Sequence, residues 1–467
     1  MSSEKYRIDK FEKVRNVHQY YRDVLSINYE LKELAKISHP WLSEILKTGN
    51  YNLILNIEEV FYKTDIKSNQ HRQLRLMLMI IFQANLILDH NLRGKSYELP
   101  IAYSQSIVKA VKQLLELNPF EEYIKTSMLI LYRIGEIEYF LKLFEQYRQI
   151  AETTPSLIII KSMIHVLCFE YKKAYEYLNL LSVEDKKNNI VNLLNITCEY
   201  HLSLQKNFIF RPKINFEKNN NVDWIKKPNE NLKNTRVFFA ADKDYFYKHG
   251  FSLIKSIIHT NRNNFNIHIH LYNADENILK TINNTCSKFE DIDISISNQN
   301  IELNSTKIKS IYASKRFIAL NFLRNKIKDN LIAIDIDSLF VNEWKIPKEI
   351  YDKDIITITP NENPFWEKIP AAFLYFTNSK ISKKFLSQTS LLVEQNLQTG
   401  NDLWFLDQLT LSINFDKFTK EEASKFGTLD NNVVCDTDHN DNSIIWQLAT
   451  HKSGNKNYED YKNFLNK

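Results

Sequence analysis

The chain has 467 residues, which at about 150 residues per domain suggests two large domains or three ordinary ones. Hydrophobic residues at 43% and charged residues at 25% match the globular balance and exclude wholesale disorder, while a net charge of +5 is too small to imply a nucleic-acid partner. Only 7 Gly occur, with neither G-x-G-x-x-G nor G-x-x-x-x-G-K-[ST], so glycine-cradled phosphate loops are excluded; Cys168, Cys198, Cys286 and Cys435 lie far apart and predict reduced thiols, not a zinc cluster or disulfide framework.

The N-terminal stretch has no apolar core of the kind a signal peptide needs. The apolar run from Leu74 to Leu88 is broken by Arg75, Gln83 and Asn85 and falls short of the ~20 residues that span a bilayer. A cytoplasmic location is expected, with at most peripheral membrane contact.

From about residue 5 to 203 apolar residues recur at helical spacing, as in Ile107, Val108, Val111, Leu114 and Leu115, so residues 1–204 are expected to be all-helical. A faint repeat is present: Asn118-Pro119-Phe120 and Thr154-Pro155-Ser156 open successive helix pairs, with an offset of 36 (155 − 119). The second helices, beginning near Leu131 and Leu167, keep that offset (167 − 131), and Ala174 and Tyr175 supply small and aromatic packing residues. This spacing resembles tetratricopeptide repeats. Residues 205–234 mix Pro, an Asn run and scattered Lys without sustained periodicity, as a linker does.

From 236 onward short, fully apolar runs alternate with amphipathic helices: 237–241, 266–272, 331–334, 354–359 and 371–376. Such runs suit strands buried on both faces and predict a largely parallel α/β sheet in residues 235–467. The triplet D-x-D occurs at 242–244, 291–293, 335–337, 352–354 and 436–438. In an open α/β sheet ligands lie beyond the carboxyl ends of the strands, which favours Asp242 with Asp244, and Asp335 with Asp337, because each pair directly follows a buried run. Two carboxylates at i and i+2 on an extended chain end point the same way and suit a hard divalent cation, although a solvated strand end has the same sequence.

The segment VFFAADKDYFYKHGFSLIKSI resembles the opening strand and helix of family 8 glycosyltransferases, retaining enzymes of the GT-A fold that use nucleotide-diphosphate sugars. Ala240, Ala241, Asp242, Asp244 and Tyr245 match its nucleoside-contacting A-A-D-x-[ND]-Y. Tyr312-Ala313-Ser314-Lys315-Arg316-Phe317 is similar to the segment that carries an arginine near the donor, here Arg316. Asp335-Ile336-Asp337 sits where the metal-binding D-x-D follows its strand, and Asp407-Gln408 where a D-Q pair lines the donor sugar. His451-Lys452-Ser453-Gly454-Asn455-Lys456 resembles the ending that supplies a metal-ligating His and a phosphate-binding Lys.

The resemblance implies a GT-A domain after an all-helical, tetratricopeptide-like one, and a metal-dependent hexosyltransferase that takes its sugar from a UDP-sugar with retention of configuration. It implies metal ligands Asp335, Asp337 and His451; donor-binding Ala240, Asp242, Asp244, Tyr245, Arg316 and Lys456; and Asp407 and Gln408 beside the transferred sugar. The implied cofactor is Mn²⁺ or Mg²⁺, an imidazole ligand leaning towards Mn²⁺. A glycan or protein is the implied acceptor, and the helical half would recruit it, bind a protein partner or self-associate. Were the reaction inverting, Asp407 or Glu362 would be the base. The sequence departs from the family at Pro370-Ala371-Ala372, in place of Asn-Ala-Gly, and in the spacing of Lys456 from His451. A second reading is therefore a non-catalytic helical interaction protein carrying a degenerate transferase domain.

Overall fold

The computed structural model describes the chain from residue 101 onward apart from 206–221, 230–234, 263, 302–306, 346–347, 360–364, 449–455 and 467, and before residue 101 only Gln73, Leu76, Met77, Ile80 and Ala84. The chain divides into two compact units, Met1–Ile209 with Asn361–Phe365, and Phe210–Pro360 with Trp366–Lys467. Among the described residues no helix is long and apolar enough to cross a membrane.

The described residues of the first unit form mainly helices: α1 (Ile101–Leu117), α2 (Glu121–Arg133), α3 (Ile137–Gln146), α4 (Pro155–Leu167), α5 (Tyr171–Leu178) and α6 (Asn189–Gln205). Helix α4 is buried nearly all round, from Leu157 to Ile164, which explains its unbroken apolar run. Corresponding helix starts recur 34 residues apart (155 − 121 and 171 − 137), not at the 36 read from the sequence. The proline explains the difference: Pro155 is the first residue of α4, where its missing N–H costs nothing, whereas Pro119 precedes the N-cap residue Phe120 of α2.

The second unit is built on an eight-stranded mixed sheet in the order β1-β4-β3-β2-β5-β8-β7-β9. The strands are β1 (Val222–Lys226), β2 (Thr235–Asp242), β3 (Phe265–Tyr272), β4 (Ile294–Gln299), β5 (Leu331–Ile334), β7 (Ile355–Ile358), β8 (Phe373–Phe376) and β9 (Phe426–Leu429). A separate pair joins β6 (Ser338–Phe340) to β10 (Ile445–Gln447). Pairings β4–β3, β3–β2, β2–β5 and β7–β9 are parallel, and β1–β4, β5–β8 and β8–β7 antiparallel. The sheet is thus mostly parallel where the chain winds through helical crossovers. Helices α7 (Phe251–Asn261), α8 (Glu276–Cys286), α9 (Ile308–Arg324), α10 (Lys380–Gln398) and α11 (Leu406–Phe415) accompany it, and α12 (Lys456–Asn466) follows β10.

Strand β1 lies inside the stretch read from sequence as a linker. It is an edge strand that pairs only with β4, and its alternation of half-buried Val222 and Trp224 with exposed neighbours is too short to register as a pattern. Trp224 anchors it, meeting His268 edge-on at 5.5 Å and Phe322 at 5.4 Å.

The order of strands decides where a site forms. The chain runs outward from β2 to β3 and β4, then returns across β2 to place β5 on its other side. The carboxyl ends of β2 and β5 therefore flank a topological switch point, the place in an open α/β sheet where loops part and leave a crevice.

Candidate functional site

Each strand at the switch point ends in an acid. Asp242 is the last residue of β2, and Asp335 directly follows β5. The Asp335 N–H donates to the Ala372 carbonyl (3.2 Å), and its own carbonyl accepts from the Ser338 N–H (3.2 Å), so the Asp335-Ile336-Asp337 turn is held at both ends. β10, paired with β6, then brings Gln447 alongside: its side-chain amide donates to Asp335 Oδ2 at 2.9 Å.

Arg316 comes from the middle of α9. One arm of its guanidinium donates to Asp335 Oδ1 and the other to Asp407 Oδ2 (2.9 Å), joining β5 to the first turn of α11. The Arg316 side chain is 15% exposed, Asp407 7% and Asp335 31%, so the cluster opens to solvent on the Asp335 side. Burial works against the Arg316 charge, but the two carboxylates outweigh it and raise its pKa further above the ordinary arginine value. One turn earlier on α9, Tyr312 stacks on Tyr272 at the end of β3 (4.6 Å, 5° between planes), which fixes the helix across the strand ends.

On the other side the Tyr245 hydroxyl donates to Asp337 Oδ2 (2.9 Å), and the Tyr458 hydroxyl donates to the Asp337 carbonyl (2.9 Å). Burial raises the Asp335 carboxyl, and the charge of Asp407 adds to it against the opposing pull of Arg316. Burial and the charge of Asp335 push Asp337 up to about 6. Burial and the nearby Asp337 carboxylate together raise the Tyr245 hydroxyl, which stays a donor at neutral pH. The Cys435 thiol, buried and in a left-handed conformation (φ 64°), is raised well above the usual thiol range by burial and then by the charges of Asp335 and Asp337.

The structure thus brings together Asp335, Asp337, Arg316, Asp407 and Tyr245. Asp242 accepts from the Tyr245 N–H (2.8 Å) as the cap of the turn after β2, a role that also positions the tyrosine; Ala240 is half-buried and Asp244 exposed. The Gln408 N–H donates to Asp407 Oδ1 (2.9 Å), and its side-chain oxygen is buried without a hydrogen-bond donor among the described residues. Lys456 is exposed at the start of α12, and no hydrogen bond or ion pair among the described residues joins it to the carboxylates. His451 and Glu362 lie outside the described residues.

The remaining acidic triplets have other partners. Asp291 pairs with Arg262 and Asp293 with the fully buried Arg236, which also bonds Asp329. Asp436 accepts from the Asp438 and Asn440 N–H groups and the Ser443 hydroxyl, closing its own loop. Gln447, Tyr458 and Cys435 escaped sequence reasoning, since nothing local marks a residue that reaches the site only through the β6–β10 pairing.

No group of three or more His, Cys, Asp or Glu side chains set to hold a metal occurs among the described residues. The donor set nevertheless suits a hard cation. Asp335 and Asp337 offer carboxylate oxygens, and Arg316 pairs with Asp335 and Asp407 but not with Asp337, whose carboxyl is raised by burial and then by the charge of Asp335.

No family model and no curated protein matches the sequence. Among solved structures, the chain is similar to the glycosyltransferase GlyE of Streptococcus pneumoniae TIGR4 (12% identity, 50% of this chain and 60% of that one, TM-score 0.34). It is also similar to the galactosyltransferase LgtC in complex with donor and acceptor sugar analogues (14% identity, 50% and 96%, TM-score 0.35) and to the bifunctional glycosyltransferase WbbM (12%, 65% and 64%, TM-score 0.35). The match thus spans three fifths of GlyE's length.

Proposed function

We propose that the protein is a metal-dependent glycosyltransferase that moves a hexose from a nucleotide-diphosphate sugar, by resemblance a UDP-sugar with retention, to a glycan or protein acceptor. The observation that carries this reading is the Asp335–Arg316–Asp407 bridge at the switch point, with Asp337 held beside it by Tyr245. Asp335 and Asp337 would hold Mn²⁺ or Mg²⁺, with His451 as a third ligand by resemblance. When bound, that ion supplies positive charge for the departing diphosphate. Arg316 holds Asp407 through its Oδ2, and Asp407 would accept hydrogen bonds from hydroxyls of the donor sugar. The Gln408 side-chain oxygen is the polar neighbour for the anomeric centre. Asp242 fixes Tyr245 for the nucleoside, and Asp244 and Lys456 add the exposed rim. The helix pairs of the first unit are read as tetratricopeptide-like and assigned to acceptor or partner binding.

A ligand bound only by the native state raises its melting temperature by mass action. UDP with Mn²⁺ is expected to raise the Tm by several degrees, Mn²⁺ alone by less, and UDP with a chelator not at all. Equal melting curves under all three conditions would contradict the reading.

A further inference from the structure

One face of the sheet carries a polar stripe inside its core. Strand β3 contributes His268-Ile269-His270 and β4 contributes Ser295-Ile296-Ser297, paired so that His268 lies opposite Ser295 and His270 opposite Ser297. None of these four polar side chains belongs to a residue more than 1% exposed. His268 bonds Ser295 Oγ through Nδ1 (2.8 Å) and Ser297 Oγ through Nε2 (2.9 Å), and His270 bonds Ser297 Oγ through Nδ1 (2.8 Å). At the far end Arg236 of β2 donates to Ser295 Oγ at 3.1 Å, its charge met by Asp293 at 2.6 Å and Asp329 at 2.9 Å. Rings enclose the rest. Phe238 of β2 stacks on His268 (5.8 Å, 9°) and His270 (6.4 Å, 21°), Trp224 of β1 meets His268 edge-on, and Tyr272 meets His270 at 4.8 Å. From α9, Phe322 backs Trp224 and Arg316 acts on Tyr272.

The hydrogen count gives this ladder one direction. The Ser295 hydroxyl donates to the Ile267 carbonyl (3.2 Å) and accepts from Arg236, so His268 must offer it Nδ1–H. His268 Nε2 is then an acceptor, filled by the Ser297 hydroxyl, and Ser297 in turn accepts from the Nδ1–H of His270. His270 Nε2 ends the chain as a lone pair: neither it nor the Gln299 side-chain oxygen has a hydrogen-bond partner among the described residues. The reverse order would bury an Nε2–H there without an acceptor. A proton added to either ring likewise leaves a buried hydrogen with nothing to accept it, on His270 Nε2 or on the Ser297 hydroxyl, and sets a charge among apolar rings. Burial accordingly holds His268 well below the ordinary imidazole value, with His270 and Arg236 adding to it, and pushes His270 down to about 3 against the opposing pull of Gln299.

We propose that this ladder is an acid-release catch: it holds β3 to β4 only while both imidazoles are neutral with the proton on Nδ1, so acid frees the β1-β4-β3 end of the sheet before the β8-β7-β9 end. Strand β3 ends in Tyr272, on which Tyr312 of α9 stacks, so the release also withdraws a support of the switch-point cluster. The inference goes beyond the glycosyl-transfer reading and does not rest on it; neither nucleotide nor metal enters the test. Hydrogen exchange of the full chain, corrected for intrinsic rates, is followed at pH 7.5 and 5.0. A histidine of ordinary pKa about 6.5 that must stay neutral to keep the strands closed costs about thirtyfold in protection at pH 5.0, and two cost about a thousandfold. Protection of β3 and β4 amides is expected to fall by about that thousandfold more than protection of β7 and β8 amides. In His270→Asn, whose amide replaces the Nδ1–H donor and does not titrate, the difference should shrink to about thirtyfold, with the melting temperature at pH 7.5 as the check on folding. A second measurement needs no variant: ¹⁵N NMR of the histidine-labelled full chain should show at least two rings that stay neutral at pH 5.0 with the proton on Nδ1. A wild-type difference below about tenfold, the same difference in folded His270→Asn, or fewer than two such rings would overturn the inference.

Discussion

Arg316 is the residue on which the site's charge balance turns. Replacing it with Ala leaves Asp335 and Asp407 without their shared partner, and breaking such a pair costs about 2–3 kcal/mol at neutral pH once the 31% exposure of Asp335 is allowed for. Without the guanidinium the Asp335 carboxyl, which burial already raises, holds its proton more readily when folded, so the loss is expected to be larger at pH 7 than at pH 4. Urea titrations at the two pH values measure it, and equal losses at both would contradict this account. Glu367 makes a second pH-dependent term. Burial, then the charge of Asp407, pushes it up to about 7 from the ordinary 4.5. The folded state then holds a proton that the unfolded state has lost, so stability falls as pH rises from 4.5 to 7 and levels off above. Glu367→Gln stays neutral throughout. Its advantage over wild type should grow across that window to about 1–3 kcal/mol, and parallel stability curves would count against it.

At the scale of elements, the turn that leaves β2 is closely packed. Residues Phe246–Gly250 form a π-helical turn, and a Cβ on Gly250 would sit 2.7 Å from the ring of Phe246, which is fully buried. Gly250→Ala is therefore expected to cost about 1–3 kcal/mol through overpacking, and because Tyr245 precedes this turn, to weaken UDP binding as well. Unchanged stability in a thermal melt would refute the packing argument. The strands of this core were legible in the sequence because they are buried on both faces: β2, β3, β5, β7 and β8 fall within or beside the apolar runs at 237–241, 266–272, 331–334, 354–359 and 371–376. β1, β6 and β10 were not, since strands of three to five residues that take their partners from distant segments leave too few positions for a period to register. The helix repeat was misjudged by two residues for an equally local reason, a proline that starts one helix but stands ahead of the other.

For the whole molecule, two of the five acidic triplets could be placed at strand ends because strand ends and sheet order restrict where a crevice forms. That logic reached Asp335 and Asp337 and placed Asp242 correctly at the end of β2. It could not reach Gln447 or Tyr458, whose approach depends on the return of the chain from β10 to α12. Nor could it show that Arg316 links Asp335 to Asp407, 91 residues away from the arginine in sequence. The most direct test of the central claim, that this switch-point cluster transfers a sugar, is UDP release from a panel of UDP-sugars with Mn²⁺ by the full chain and by Asp335→Ala and Asp337→Ala. Turnover of at least one donor by the wild type, reduced at least a hundredfold in both variants with unchanged circular dichroism, is the expected result; wild-type rates in both variants would contradict the claim.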